Sequence, residues 1–315
     1  MPTPTADIFV TESTQSRRVT GPMKTCFIVN PKSGPRRRAE RFLPHLRRFA
    51  ADRGLDARID ITEAPGHATA LARVAASSGF ECVAAVGGDG TVNEVAQALV
   101  GGPAALAIVP CGSGDGLGRH LRLPRSPMAA LGLIASPLPR LALIDTGSSN
   151  GCPFFNVMGF GFDAEISQRF NGLKGRGLPG YVRTGVATFR ERSSEVCRIQ
   201  MNGSDDMVSA MLVAVANSDR YGHQARVAPR ARVDDGLLDL VSVERVSWAG
   251  ACLLAARLFL GTFDRSPRVR RWRGPAFTIT RAAAGIIHTD GEVHASAAEL
   301  RVQVHAASLR ILVGG

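Results

Sequence analysis

The stretch "VAAVGGDGTVNEVAQAL", Val83 to Leu99, decides the fold. Its first four residues are apolar and read as a buried strand. Val92, Val95, Ala96 and Leu99 then recur at i, i+3, i+4 and i+7, one face of a helix. Between strand and helix stand Gly87, Gly88, Asp89, Gly90 and Thr91, where the missing Cβ atoms permit a sharp turn and a close approach. A strand, a glycine turn and a helix N-terminus together make a place to hold a phosphate, because backbone N–H groups and the helix dipole point at one spot.

The same grammar occurs on either side of this stretch. "NPKSG", Asn30 to Gly34, closes the strand-like "TCFIVN" and leads into a basic helix whose Phe42, Leu43, Leu46, Phe49 and Ala50 share a face. Lys32, Ser33 and Gly34 offer a cation, a hydroxyl and a bare backbone. "PCGSGDGLGRHL", Pro110 to Leu121, closes "AALAIVP" and leads into another helix. "LDARIDIT" (Leu55–Thr62) reads as a further strand, and His67–Ser78 and Met128–Ala135 as helices. Strand and helix in alternation predict a parallel sheet covered on both faces, with ligands beyond the carboxyl ends of its strands. Each loop alone suits an empty strand-to-helix turn; three on one edge favour a polyphosphate site. It is neither a Walker A loop nor a dinucleotide fingerprint, because Gly112, Gly114, Gly116 and Gly118 break the G-x-G-x-x-G register.

After Leu141 short β-rich runs take over, among them "FFNVMGFGF", "VSAMLVAVAN", "LLDLVSV", "AFTITR", "LRVQVH" and "LRILVG". Many alternate apolar with polar between turn residues, which predicts an antiparallel β-sandwich. Helical pieces interrupt it at Leu178–Arg192 and Ser247–Phe263. The expected division is a disordered leader over 1–22, an α/β domain over 23–140 and a sandwich domain over 141–315.

The chain of 315 residues has 38 Lys+Arg against 27 Asp+Glu, and all but Lys24, Lys32 and Lys174 of the cations are arginine. That suits an anionic partner or a bias in composition. Nucleic acid is excluded: aromatics are 6%, and there is no zinc-finger spacing, basic heptad or RNP-like stripe. Cys26, Cys82, Cys111, Cys152, Cys197 and Cys252 show no metal or disulfide spacing, which argues for core thiols in a reducing compartment. The N-terminus has no signal-peptide apolar run. The most apolar later stretch, Trp248–Phe263, holds Arg257 and falls short of the roughly 20 residues a bilayer requires. The expectation is a soluble protein, at most attached to a membrane surface.

NPKSG, then GGDGTVNE, then P-x-G-S-G, in this order, resembles the diacylglycerol kinase / sphingosine kinase family of lipid kinases. "FNVMGFGFDAEI", "RVAPRARVDDGLLDLV" and "TDGE" look like that family's later segments, so the resemblance runs over residues 24 to 315. It is closest to the soluble bacterial members and to the sphingosine and ceramide kinases. The resemblance implies an ATP-binding α/β domain, a β-sandwich domain accepting the lipid, and chemistry in the cleft between them. It implies nucleotide contacts from Asn30, Pro31, Lys32, Ser33, Gly34, Thr62, Gly87, Gly88, Asp89, Gly90, Thr91, Val92, Asn93, Gly112, Ser113 and Gly114. Asp89 is similar to the family's essential aspartate near the phosphates and Mg²⁺. Glu292, with Asp290 beside it, matches the general base, although Asp-Gly between β runs is also a strong hairpin signal. Arg232, Asp235 and Leu237 match a structural Mg²⁺ site, some ligands being backbone carbonyls.

The chemistry suits these residue types. Phosphoryl transfer is chiefly positioning and charge neutralisation, magnesium takes carboxylate and phosphate oxygens, and a carboxylate can accept the hydroxyl proton. The implied enzyme is cytoplasmic and peripherally membrane-associated; the resemblance also hints at a homodimer. Two segments depart from the family pattern. Many members read G-T-G-N-D where this chain has Gly112-Ser113-Gly114-Asp115-Gly116, which keeps the hydroxyl and loses the acid. Tyr221 and His223 stand where a run of glycines is frequent. "RSPRVRRWRG", Arg265–Gly274, sets five arginines around Trp272, suiting either an anionic interface or a solvated edge strand. The Trp248–Phe263 helix is either an interfacial face or an ordinary core helix. The rivals are an NAD kinase, which shares a GGDGT loop, and a nucleotide- or lipid-binding regulator that has lost catalysis at Gly116.

Overall fold

The computed structural model describes residues 17–18, 21–171, 194–221 and 225–314. The expected helix at Leu178–Arg192, and His223, lie outside them. The chain forms two compact units, one of residues 1–112, 118–144 and 307–315, the other of 113–117 and 145–306.

In the first unit β2 (Thr25–Val29), β3 (Ala57–Ile61), β4 (Cys82–Gly87) and β5 (Ala105–Pro110) form a parallel sheet in the order β3-β2-β4-β5. Every residue of β2, β4 and β5 is buried, which is why they read as unbroken apolar runs. Helices α1 (Arg38–Asp52), α2 (His67–Ser77), α3 (Asp89–Leu99) and α4 (Pro127–Ile134) accompany them. Phe27, Val29, Leu46, Ala84, Val86, Val109, Leu131 and Leu312 share one core. Register sets Val29 opposite Val86 and Gly87 opposite Pro110, so three strands end level and their loops leave side by side. Within the expected leader, Arg17 and Arg18 form a short strand paired with Leu141 and Arg140.

The second unit is a sandwich. One antiparallel sheet has Val157–Gly161, Leu212–Ala216, Leu238–Val243, Val269–Gly274, Gly285–Thr289 and Glu292–Ser296. The other has Glu195–Met201, Ser204–Ala210, Ala276–Arg281 and the first part of Glu299–Val313. Phe160, Val213, Leu240 and Ile287 of the first pack with Ile199, Val208, Phe277 and Leu300 of the second. One element was not expected and one expectation is corrected. "FDAEI" opens a helix, α5 (Phe162–Asn171), directly after Gly161, whose φ of 87° ends the strand. The last two β runs are a single strand, Glu299–Val313, bent at Ala307 with φ 48°.

Candidate active site

Three bends converge at the carboxyl edge of the parallel sheet. The first meets the second where Asn30 Nδ2 donates to Thr91 Oγ1 at 3.2 Å. The second meets the third where the Gly87 carbonyl accepts the Cys111 and Gly112 amides at 2.8 and 3.0 Å. The third meets the first at Gly34, where a Cβ would stand 2.0 Å from the Cys111 oxygen. A Cβ on Gly112 would lie 2.5 Å from the Gly88 Cα, and one on Gly87 would strike Thr91 at 2.4 Å. Gly34 and Gly112 are therefore demanded by backbone-to-backbone packing, and Gly87 by the Thr91 side chain packed against it. Gly90 differs, because a Cβ there would meet nothing within 4 Å.

The helix begins inside the motif: Gly88 is its N-cap and supplies no side-chain cap, and Asp89, Gly90 and Thr91 form its first turn. Such an end requires external acceptors for its N–H groups and favours anions. Lys32 is exposed, and its amide closes an Asx turn on Asn30 Oδ1 at 3.1 Å. Thr62, one strand further out, is tied by its amide to the Val29 carbonyl. Val92 and Asn93 are buried on the inner face of α3. Ser113 and Gly114 continue the third bend within the other unit. A signal left unused in the sequence follows the first bend: Arg36 and Arg37 both adopt positive φ, 50° and 55°, ahead of α1. Strain of that kind collects at functional sites.

In the sandwich, Thr289 and Glu292 pair across a two-residue hairpin whose Asp290 and Gly291 have φ 51° and 87°, the geometry of a type I′ turn. The hairpin reading is thus right about the backbone. Asp290 does not offer a free carboxylate: it accepts the amides of Phe155, Asn156 and Val157 at 2.7, 2.8 and 2.9 Å. Burial pushes its carboxyl up, and those three amides hold it back. Glu292 is exposed at the start of the next strand. Behind the turn, His288 Nε2 bonds Asp163 at 2.6 Å and its Nδ1 accepts the Gly291 amide at 3.3 Å. Burial opposes a charge on His288, but the bonded Asp163 carboxylate, with Asp290 beside it, more than offsets this and raises the ring's pKa. Nothing in sequence spacing announces that pair.

Arg232, Asp235 and Leu237 lie in one short segment whose polar groups bond one another and their neighbours. Arg232 pairs with Asp234 at 3.0 Å, while Asp235 pairs with Arg273 and accepts the Leu237 amide at 3.1 Å. The neighbouring Gly236 amide goes to Asp145 at 2.7 Å. Among the described residues no three His, Cys, Asp or Glu side chains gather as metal ligands. Asp89 stands in the first turn of α3; a single carboxylate is the kind of protein ligand Mg²⁺ takes when its other ligands are phosphate and water.

The pattern of the diacylglycerol kinase catalytic domain matches residues 24–151, and that of the YegS C-terminal NAD kinase beta sandwich-like domain matches residues 156–313. The chain belongs to the YegS-like lipid kinases. It is 31% identical over 265 residues to "Probable lipid kinase YegS-like" of Pseudomonas aeruginosa (strain UCBPP-PA14), covering 82% of this chain and 85% of that one. It is 25% identical over 270 residues to a diacylglycerol kinase of Staphylococcus saprophyticus, covering 84% and 87%. A crystal structure of a diacylglycerol kinase from Bacillus anthracis str. Sterne shares the fold, with TM-score 0.73 at 21% identity over 94% of this chain and 98% of that one. As a member of this family the chain is a kinase, and the fold expected of it, α/β followed by antiparallel sandwich, is borne out.

The departures from the family pattern touch each other. A Cβ on Gly116 would stand 3.2 Å from the Tyr221 carbonyl and 3.5 Å from Asn156 Oδ1. The YegS-like chain that lacks an acid at 116 thus carries Tyr221 against the same spot. Sequence reading also missed Asn217 and Ser218. Both are fully buried; Asn217 donates to the Asp145 and Phe155 carbonyls, and Ser218 to Asn156. Polar residues directly after the apolar run "LVAVA" were the available signal.

Proposed function

We propose that the protein transfers the γ-phosphate of ATP to a primary hydroxyl of a lipid, a diacylglycerol or a sphingoid base or ceramide. The observation that carries this is the pairwise meeting of three glycine bends at one sheet edge, each tied to the other two. In this reading the backbone of Asn30–Gly34, Gly87–Asn93 and Gly112–Gly114 cradles the triphosphate, with Lys32 supplying a cation and Thr62 flanking it. Asp89 holds Mg²⁺, which when bound neutralises charge building up on the phosphate. Glu292 accepts the hydroxyl proton as the bond to phosphorus forms. Asp290 works one step back, fixing the hairpin that presents Glu292 by gripping three amides. Because the acceptor is a lipid, the enzyme works on an anionic membrane surface, in keeping with its 38 cationic against 27 acidic side chains.

The test is thin-layer chromatography with radiolabelled ATP and Mg²⁺, offering diacylglycerol, a sphingoid base, ceramide and NAD in separate tubes. Label in a lipid is expected. Label in NAD alone would favour the NAD kinase reading, towards which the sandwich's family description leans. ATP binding without any product would favour the regulator.

A further inference from the structure

The helix Trp248–Leu260 is apolar around nearly its whole circumference, Arg257 excepted. One side packs into the sandwich through Leu254, with Leu258 against the same cluster of Val241, Val243, Val227 and Phe263. The other side faces solvent. Trp248, Ala249, Cys252, Leu253, Ala255, Ala256, Phe259 and Leu260 are all exposed, and at 100° per residue they fall on one continuous face. Trp248 is 48%, Leu253 56%, Phe259 40% and Leu260 75% exposed. A helix apolar all round is ordinarily covered on all sides, so this face requires a partner. The helix is not the ordinary core helix that the sequence allowed.

Its surroundings say which kind. From Arg245 to Gly274 the chain has seven arginines and a single acid, Asp264. That acid is itself buried and taken up by Arg230 and Arg271. Exposed Arg245, Arg265, Arg268 and Arg270 lie before and after the apolar face in sequence; Arg268 pairs with Glu244 at 3.3 Å and Arg270 with Asp206 at 2.8 Å, both at the surface, so cations still outnumber acids around the helix. A second copy of this chain would have to bring two such cationic segments together across a symmetry axis. An anionic bilayer meets both features at once: acyl chains take the apolar face, phosphates the arginines, and the terminal tryptophan suits the headgroup level.

We propose that the exposed face of the Trp248–Leu260 helix is the surface by which the protein lies on anionic membranes. It is too short to span one, and among the described residues no helix is long and apolar enough to do so. The proposal rests on the lipid-kinase reading only in supposing that the substrate is drawn from a bilayer, and its test runs without nucleotide or substrate.

The full chain is sedimented with vesicles of phosphatidylglycerol and phosphatidylcholine, and with phosphatidylcholine alone. Two variants, Leu253→Glu/Leu260→Glu and the uncharged Leu253→Ser/Leu260→Ser, are compared, with thermal midpoints confirming folding. Exposed Cys252 lies on the same face, so its alkylation, followed by mass spectrometry, serves as a footprint. The expected result is binding to anionic vesicles that drops about tenfold or more in both variants, with vesicles protecting Cys252 in the native chain. Equal binding by native and variant chains, or unprotected Cys252, would overturn the proposal. So would a dimer in sedimentation velocity that the variants split while vesicles bind neither form. Phosphorylation of detergent-dispersed lipid, measured on the same preparations, reports separately on the kinase reading.

Discussion

Gly90 and Gly112 separate what the fold needs from what a ligand needs. A Cβ at Gly112 meets the Gly88 backbone at 2.5 Å, whereas one at Gly90 meets nothing within 4 Å. Gly112→Ala is therefore expected to cost roughly 1–3 kcal/mol of stability. Gly90→Ala, in the first turn of a helix, is expected to add about 0.5–1 kcal/mol and yet weaken nucleotide binding, because in the proposed cradle a bound phosphate occupies that open space. Chemical denaturation beside nucleotide titration checks both; unchanged nucleotide affinity in Gly90→Ala would remove Gly90 from the cradle. Glu292 is exposed, so Glu292→Gln should leave the thermal midpoint within error while turnover falls by roughly 10²–10⁴. Asp290→Ala should act the other way round, costing about 3 kcal/mol because three amides lose a charged acceptor. Glu292 was proposed as general base through family likeness, but the reason for its neighbour was not legible: no spacing shows that Asp290 reaches back 135 residues to Phe155.

Elements were legible where burial is uniform and illegible where the chain bends. The strands Thr25–Val29, Cys82–Gly87 and Ala105–Pro110 are buried throughout, so they stand out as apolar runs ended by Gly, Asn or Pro. Helix Phe162–Asn171 was hidden because it starts one residue after a strand, and strand Glu299–Val313 looked double because positive φ at Ala307 interrupts its alternation. The hairpin from Gly285 to Ser296 has its own pH signature through His288. Asp163 raises that ring's pKa above its unfolded value, so the added stability is present in full below about pH 6.5 and fades as pH rises through the folded pKa. The gap in unfolding midpoint between the native chain and His288→Gln should accordingly be widest near pH 6 and narrow towards pH 9; a gap that widens with pH would contradict the pairing. Buried thiols follow the same logic. Burial pushes Cys26 and Cys82 up to about 12 and Cys111 and Cys197 up to about 11, which leaves them inert at neutral pH.

At the scale of the molecule, the sequence order of motifs conveyed the two-part plan but not how the chain returns. Residues 307–315 belong with the first unit, where Ile311 pairs with Leu106 and Leu309, Ile311 and Leu312 are buried. Ile311→Ala, nearly three hundred residues from the first strand, should cost roughly 2–5 kcal/mol, read by denaturant midpoint. The central claim remains that three glycine bends close on a nucleotide's triphosphate. Amide hydrogen exchange on the full chain, with and without ATP and Mg²⁺, tests it most directly. The account predicts slowed exchange confined chiefly to residues 31–34, 88–93 and 112–114. Protection elsewhere with these three segments unchanged would contradict it.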